Sequence, residues 1–75
     1  MAAAIKKLPA AERAWTDYFD QKGRKRFVLT STQTRDWYFL YEIKDGVFVR
    51  LGKERTPSKL EERFQVEERM RNPDD

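Results

Sequence analysis

The chain has no cysteine and no histidine among its 75 residues. Without cysteine there is no disulfide framework, and a reducing, cytoplasmic setting is the expectation. Without either residue type the usual sulfur and nitrogen ligands are missing, so no zinc site and no other metal is expected. The same gap removes the Ser-His and Cys-His pairs of nucleophilic catalysis. Glycine is scarce, at 23, 46 and 52 only, so no glycine-rich phosphate loop exists and no cofactor is expected. The only serines are Ser31 and Ser58, and Ser58 is explained as a helix-capping residue. No apolar run approaches the roughly 18 residues of a membrane span, so no membrane partner is expected. Met1–Ile5 followed by Lys6-Lys7 runs opposite to the order of a signal peptide. The sequence therefore reads as non-enzymatic.

Charge is abundant and unevenly placed. The net charge is +3, with 39% charged residues. Residues 1–26 carry seven basic and three acidic groups, whereas residues 56–75 carry four basic and six acidic groups. A polyanion would approach the front of the chain and avoid its last helix.

Aromatic residues make up 13% of the chain, enough to help a core of this small size. They concentrate in Trp37–Leu51, WYFLYEIKDGVFVRL, where Asp45-Gly46 separates two runs of β-formers. A two-residue turn would set Ile43 opposite Phe48 and mix apolar with charged residues on both faces. A three-residue loop, Lys44-Asp45-Gly46 with Gly46 left-handed, sets Ile43 opposite Val47. It leaves Trp37, Phe39, Tyr41, Ile43, Val47, Val49 and Leu51 on one uncharged face. Burying one clean face fixes register, so the three-residue loop is predicted. The other face, Tyr38, Leu40, Glu42, Phe48 and Arg50, is then left to bind.

Upstream, Leu8, Ala11, Trp15, Tyr18 and Lys22 follow helical spacing after Pro9, and Gly23 suits a left-handed cap; a helix is predicted over about 9–22. Residues 26–32 read as a strand and Gln33–Asp36 as a polar connection. Thr56-Pro57 or Ser58 with Glu61 opens a second helix that buries Leu60 and Phe64, with Val66 and Met70 on its flank, and ends at Asn72-Pro73. The expected architecture is a single small α+β domain, α-β-β-β-α: a three-stranded antiparallel meander packed against two helices. Residues 1–7 form a flexible leader, 8–72 the domain, and 73–75 a frayed tail.

That element order resembles the double-stranded RNA-binding domain in outline and length. Lys59 stands where that family carries a lysine pair, and Glu61-Glu62 follow it. Strands followed by a final helix also resemble the arm-DNA-binding domains of tyrosine recombinases. That likeness implies a sheet entering the major groove with Arg50, Lys44 and Arg35 toward the bases.

The leading expectation is a small nucleic-acid-binding module, with DNA preferred, that uses one sheet face and a basic turn. Arg24, Lys25 and Arg26 are its phosphate contacts, Tyr38 and Phe48 its stacking rings, and Arg35, Lys44, Arg50, Lys53 and Arg55 its basic fringe. A protein-interaction module or homodimer, using Tyr38, Leu40 and Phe48, is the alternative.

Overall fold

The computed structural model describes residues 4–71. It holds five strands and two short helices: β1 (Ala4–Ile5), β2 (Glu12–Phe19), β3 (Lys25–Thr32), β4 (Tyr38–Lys44), β5 (Val47–Glu54), α1 (Pro57–Arg63) and α2 (Val66–Arg71). The strands make one antiparallel sheet in the order β1-β5-β4-β3-β2. Both helices follow the sheet in sequence. The α-β-β-β-α meander is therefore corrected to a five-stranded sheet with two C-terminal helices. The outline shared with the double-stranded RNA-binding domain falls with it, because a strand stands where that order needs its first helix.

The segment expected as a helix over 9–22 is β2. Trp15-Thr16-Asp17-Tyr18-Phe19 is rich in β-formers. Its alternation is masked because the pairing with β3 shifts between Ala14 and Thr16, which makes Trp15 an extra residue; the shift between Tyr18 and Phe19 places its extra residue, Arg26, in β3. An extra residue in a strand breaks the period of two and leaves a spacing that imitates a helix. Gly23 does adopt the left-handed conformation, at φ +79°, but in the β2–β3 turn and not at a helix end. Asp20 organises that turn: its Oδ1 accepts the backbone N–H groups of Lys22 and Arg24, each at 2.9 Å. Within the expected leader, Ala4 and Ile5 pair with Val49 and Phe48 of β5. Residues 1–3 and the expected tail at 73–75 lie outside the described residues.

The central hairpin uses the two-residue turn. Asp45 and Gly46 both have positive φ, 49° and 79°. That pair of values matches the turn type whose twist suits two flanking strands. Lys44 pairs with Val47, Ile43 with Phe48 and Tyr41 with Arg50. The predicted three-residue loop, with Ile43 opposite Val47, is thus overturned, although Gly46 is left-handed as expected. Farther along, Leu40 pairs with Gly52 while Tyr41 pairs with Arg50, so Leu51 is an extra, bulged residue.

This register exchanges the faces of β4. Tyr38 and Leu40, expected on the free face, join Phe27 and Leu29 of β3 beneath Leu60 and Val66 of the helices. Trp37, Phe39, Tyr41 and Ile43, expected in that core, face the other way. Past the bulge, Gly52 lies under α1, and a Cβ there would stand 2.9 Å from the Phe64 ring. The missing side chain is what lets α1 approach β5.

The second helix of the sequence reading is two helices. Of the two starts considered, Thr56 with Pro57 at the first helical position is the one used. The chain then breaks at Gln65, which has φ 51°. Val66 lies six residues beyond Leu60, about 120° away around a continuous helix. The break turns the chain so that both side chains are buried.

Candidate nucleic-acid interface

The sheet face opposite the helices is built around the β5 bulge. Side chains alternate along a strand, so an unbulged β5 would send Lys53 to the face opposite Arg50. The extra residue at Leu51 resets the alternation. Lys53, which pairs with Phe39, and Arg55 beyond it therefore join Arg50 on the face that carries no helix. Trp37 stands between them: Lys53 Nζ lies 4.6 Å and the Arg55 guanidinium carbon 4.1 Å from its ring centre. Arg55 Nη1 also donates to the Asp36 carbonyl at 3.2 Å, which fixes its head over the ring. Among the described residues no carboxylate lies within ion-pair distance of Lys53 or Arg55.

The middle of this face is a polar network. Glu12 Oε1 accepts hydrogen bonds from Thr30 Oγ1 at 2.6 Å and from Tyr41 Oη at 2.7 Å. Arg50 is ion-paired with Glu12 Oε2 and donates through Nε to Tyr41 Oη at 3.1 Å. The Arg50 guanidinium also lies 4.3 Å from the centre of the Phe39 ring. The Tyr41 phenol is pushed up to about 12: burial is the largest cause, the Glu12 carboxylate adds to it, and Arg50 partly offsets it. Arg50 is accordingly committed within the protein, whereas Lys53 and Arg55 have only a ring and a carbonyl.

Antiparallel pairing sorts the remaining residues toward the two ends of the sheet. Arg24, Lys25, Arg26 and Lys44 lie at the end formed by the β2–β3 and β4–β5 turns. Three carboxylates offset their charge there in part. Arg24 Nε is 2.9 Å and Arg26 Nη1 is 3.7 Å from Asp20, Lys25 is 3.2 Å from Asp17, and Lys44 is 3.9 Å from Glu42. Burial raises the Asp20 carboxyl, but the N–H groups of Arg24 and Lys22 and the Arg24 guanidinium outweigh it and hold the acid below its ordinary range. The basic turn is therefore braced by acids that the sequence reading did not connect to it. Phe48 is half-buried near this end, at a ring distance of 6.3 Å from Tyr41.

The opposite end gathers Arg35, Lys53 and both tryptophans. Arg35 lies 5.1 Å from the ring centre of Trp15, which meets Tyr38 edge-on at 5.3 Å. Tyr38 and Leu40 belong to the core, so neither is a stacking ring nor part of an exposed apolar patch. The residues missed by sequence reasoning are Trp37 and Phe39. The signal for them was the Asp45-Gly46 pair itself, because its two-residue turn places Trp37, Phe39, Phe48 and Arg50 on one face.

Among the described residues no cluster of three or more Asp or Glu could hold a metal ion, and no helix is long and apolar enough to cross a membrane. Compared with known proteins, the chain matches no family model, and no curated protein or solved structure matches it at a significant level.

Proposed function

We propose that this chain is a small binding module for single-stranded nucleic acid, read on the helix-free face of β4 and β5. The observation that carries the reading is Lys53 and Arg55 against the Trp37 ring, with no carboxylate among the described residues within ion-pair distance of either. Cations beside half-buried aromatic rings serve a strand whose phosphates meet charge and whose bases meet π-faces. Phe39, beneath Arg50, continues the same surface. The Arg24–Arg26 turn is neutralised in part by Asp17 and Asp20, so it contributes less than its basic count suggests.

The test is fluorescence anisotropy of a labelled single-stranded DNA, against RNA and duplex DNA, across a salt series. Replacing Lys53 or Arg55 by Ala should lower the salt slope by about 0.7 each for a single strand. Trp37→Ala should weaken binding by about 1–3 kcal/mol if a base stacks there. Absence of binding to every oligonucleotide at about 50 mM salt, where phosphate contacts are strong, removes the proposal.

A further inference from the structure

The helix side of the molecule carries a groove of about 680 Å³ between the edge strand β2 and the two helices. Tyr18, Val66 and Met70 give it an apolar lining, and Glu61, Glu62, Glu67 and Glu68 surround that lining with negative charge. Of the cations nearest in sequence, Arg63 and Arg69 are engaged away from the groove, Arg71 pairs with Glu67 on its rim, and Lys59 lines a second depression that shares Glu62. Arg63 Nη1 reaches Glu54 at 3.0 Å, the Arg69 guanidinium lies 5.9 Å from the Phe27 ring, and Arg71 is 3.7 Å from Glu67. Glu61 accepts the Tyr18 hydroxyl hydrogen bond. Glu62 and Glu68 have no ion-pair partner among the described residues.

We propose that this groove docks a basic peptide segment of a partner protein, one apolar side chain entering against Tyr18 and Met70 while flanking Lys or Arg residues meet Glu62 and Glu68. Charge complementarity selects the occupant, since an acidic rim repels phosphate and rewards cations. The volume falls in the range of binding sites, about 300–1,000 Å³, and accommodates a few side chains. The groove lies across the sheet from the proposed nucleic-acid face, and neither proposal depends on the other.

The experiment uses the full chain and three fluorescein-labelled peptides, alternating Lys with Leu, Lys with Ser, and Glu with Leu. The Lys/Leu peptide should bind, the Lys/Ser peptide about tenfold more weakly, and the Glu/Leu peptide not at all, as an apolar anchor with charged flanks requires. Glu62→Gln with Glu68→Gln should weaken Lys/Leu binding about tenfold, because both lost charges lie at the groove. Asp36→Asn with Asp45→Asn removes the same charge elsewhere and should leave binding within about twofold. Equal loss in both double variants, equal binding of the Lys/Leu and Lys/Ser peptides, or no binding would overturn the proposal. So would self-association of the protein that Glu62→Gln with Glu68→Gln abolishes, since a second copy would then be the occupant.

Discussion

Tyr38 and Tyr41 stand on the same strand, both buried, and they are buried by different means. Tyr38 lies under helices, beside Phe27, Leu29 and Leu40, with the Trp15 ring at its edge. Tyr41 lies on the face without a helix and is nevertheless 0% exposed. Its hydroxyl donates to Glu12, which also accepts from Thr30, and accepts from Arg50, while the Phe48 ring lies 6.3 Å and the Arg50 guanidinium 5.3 Å from its own ring. A dry face excludes water with apolar volume, whereas this face excludes it by satisfying polar groups with one another. Among the described residues no buried side-chain nitrogen or oxygen lacks a partner, which is the condition for the second strategy. The comparison also explains where a ligand surface can arise. The helix-covered face must spend its side chains on packing, whereas the open face can leave Trp37, Lys53 and Arg55 at its margin.

The largest effect should come from opening the dry face. Phe27 is fully buried at the centre of the helix-covered cluster. Phe27→Ala should cost about 3–5 kcal/mol, comparable with the whole stability of a domain this small. Circular dichroism on heating should show the variant largely unfolded at room temperature. A cooperative melt near the wild-type midpoint would mean that the helices are not docked on β3 and β4.

Removing the keystone of the open face should cost less. Glu12→Ala strips the acceptor from Thr30 and Tyr41 and the counter-charge from Arg50. Leaving buried donors unsatisfied costs about 1–3 kcal/mol, reduced here because the Arg50 side chain is partly exposed. Urea denaturation measures it. An unchanged midpoint would show that the network is incidental to burial of that face.

The same comparison shows what could be read beforehand. The strand at 26–32, the hairpin around Asp45-Gly46, the left-handed Gly46 and the Thr56-Pro57 helix start all follow from local chemistry, and local chemistry is visible in sequence. The exchange of faces was not visible. Choosing the register that segregates apolar residues assumes that only one face is buried, and here the mixed face is buried as well, through Glu12 from a distant strand. The helix expected over 9–22 failed for a related reason, since the bulge at Trp15 breaks the strand period. At the candidate site, Arg50 and Lys53 stood out as basic residues, but only the Leu51 bulge brings Lys53 and Arg55 to Trp37. That bulge has no sequence marker beyond Gly52. Gln65 likewise breaks the last helix without the glycine that usually announces such a turn.

The turn that sets the two faces apart should be the next most sensitive point. Gly46 has φ +79° with nothing within 4 Å of where a Cβ would stand. The Cβ of Gly46→Val therefore meets no neighbour, and the substitution tests chiefly the backbone conformation. It should cost about 1 kcal/mol or more, because β-branched residues resist the left-handed region. Gly46→Asn should recover much of the loss, as asparagine tolerates that conformation. Equal stability of the two variants in urea would argue against the two-residue turn, and with it against the assignment of Arg50 and Tyr41 to one face.

The smallest and most local effect should appear at high pH, where the open face can be read through one hydroxyl. Tyr41 is raised from 10.0 to about 12, with burial as the first cause and the Glu12 hydrogen bond as the second. The folded chain holds this proton more tightly than the unfolded chain. The corresponding stability is fully present below pH 10 and is lost as pH climbs from 10 toward 12. Tyr18, half-buried and hydrogen-bonded to Glu61 on the helix side, is raised as well and adds loss of the same sign. Phenolate absorbance should therefore show a late-titrating fraction in the folded protein that disappears in urea. Tyr41→Phe should remove part of that fraction and flatten the alkaline fall in melting temperature, while leaving the Tyr18 contribution in place. If Tyr41→Phe leaves both the late absorbance and the alkaline fall unchanged, Glu12 and Arg50 do not hold the Tyr41 hydroxyl, and the open face is buried by some other means.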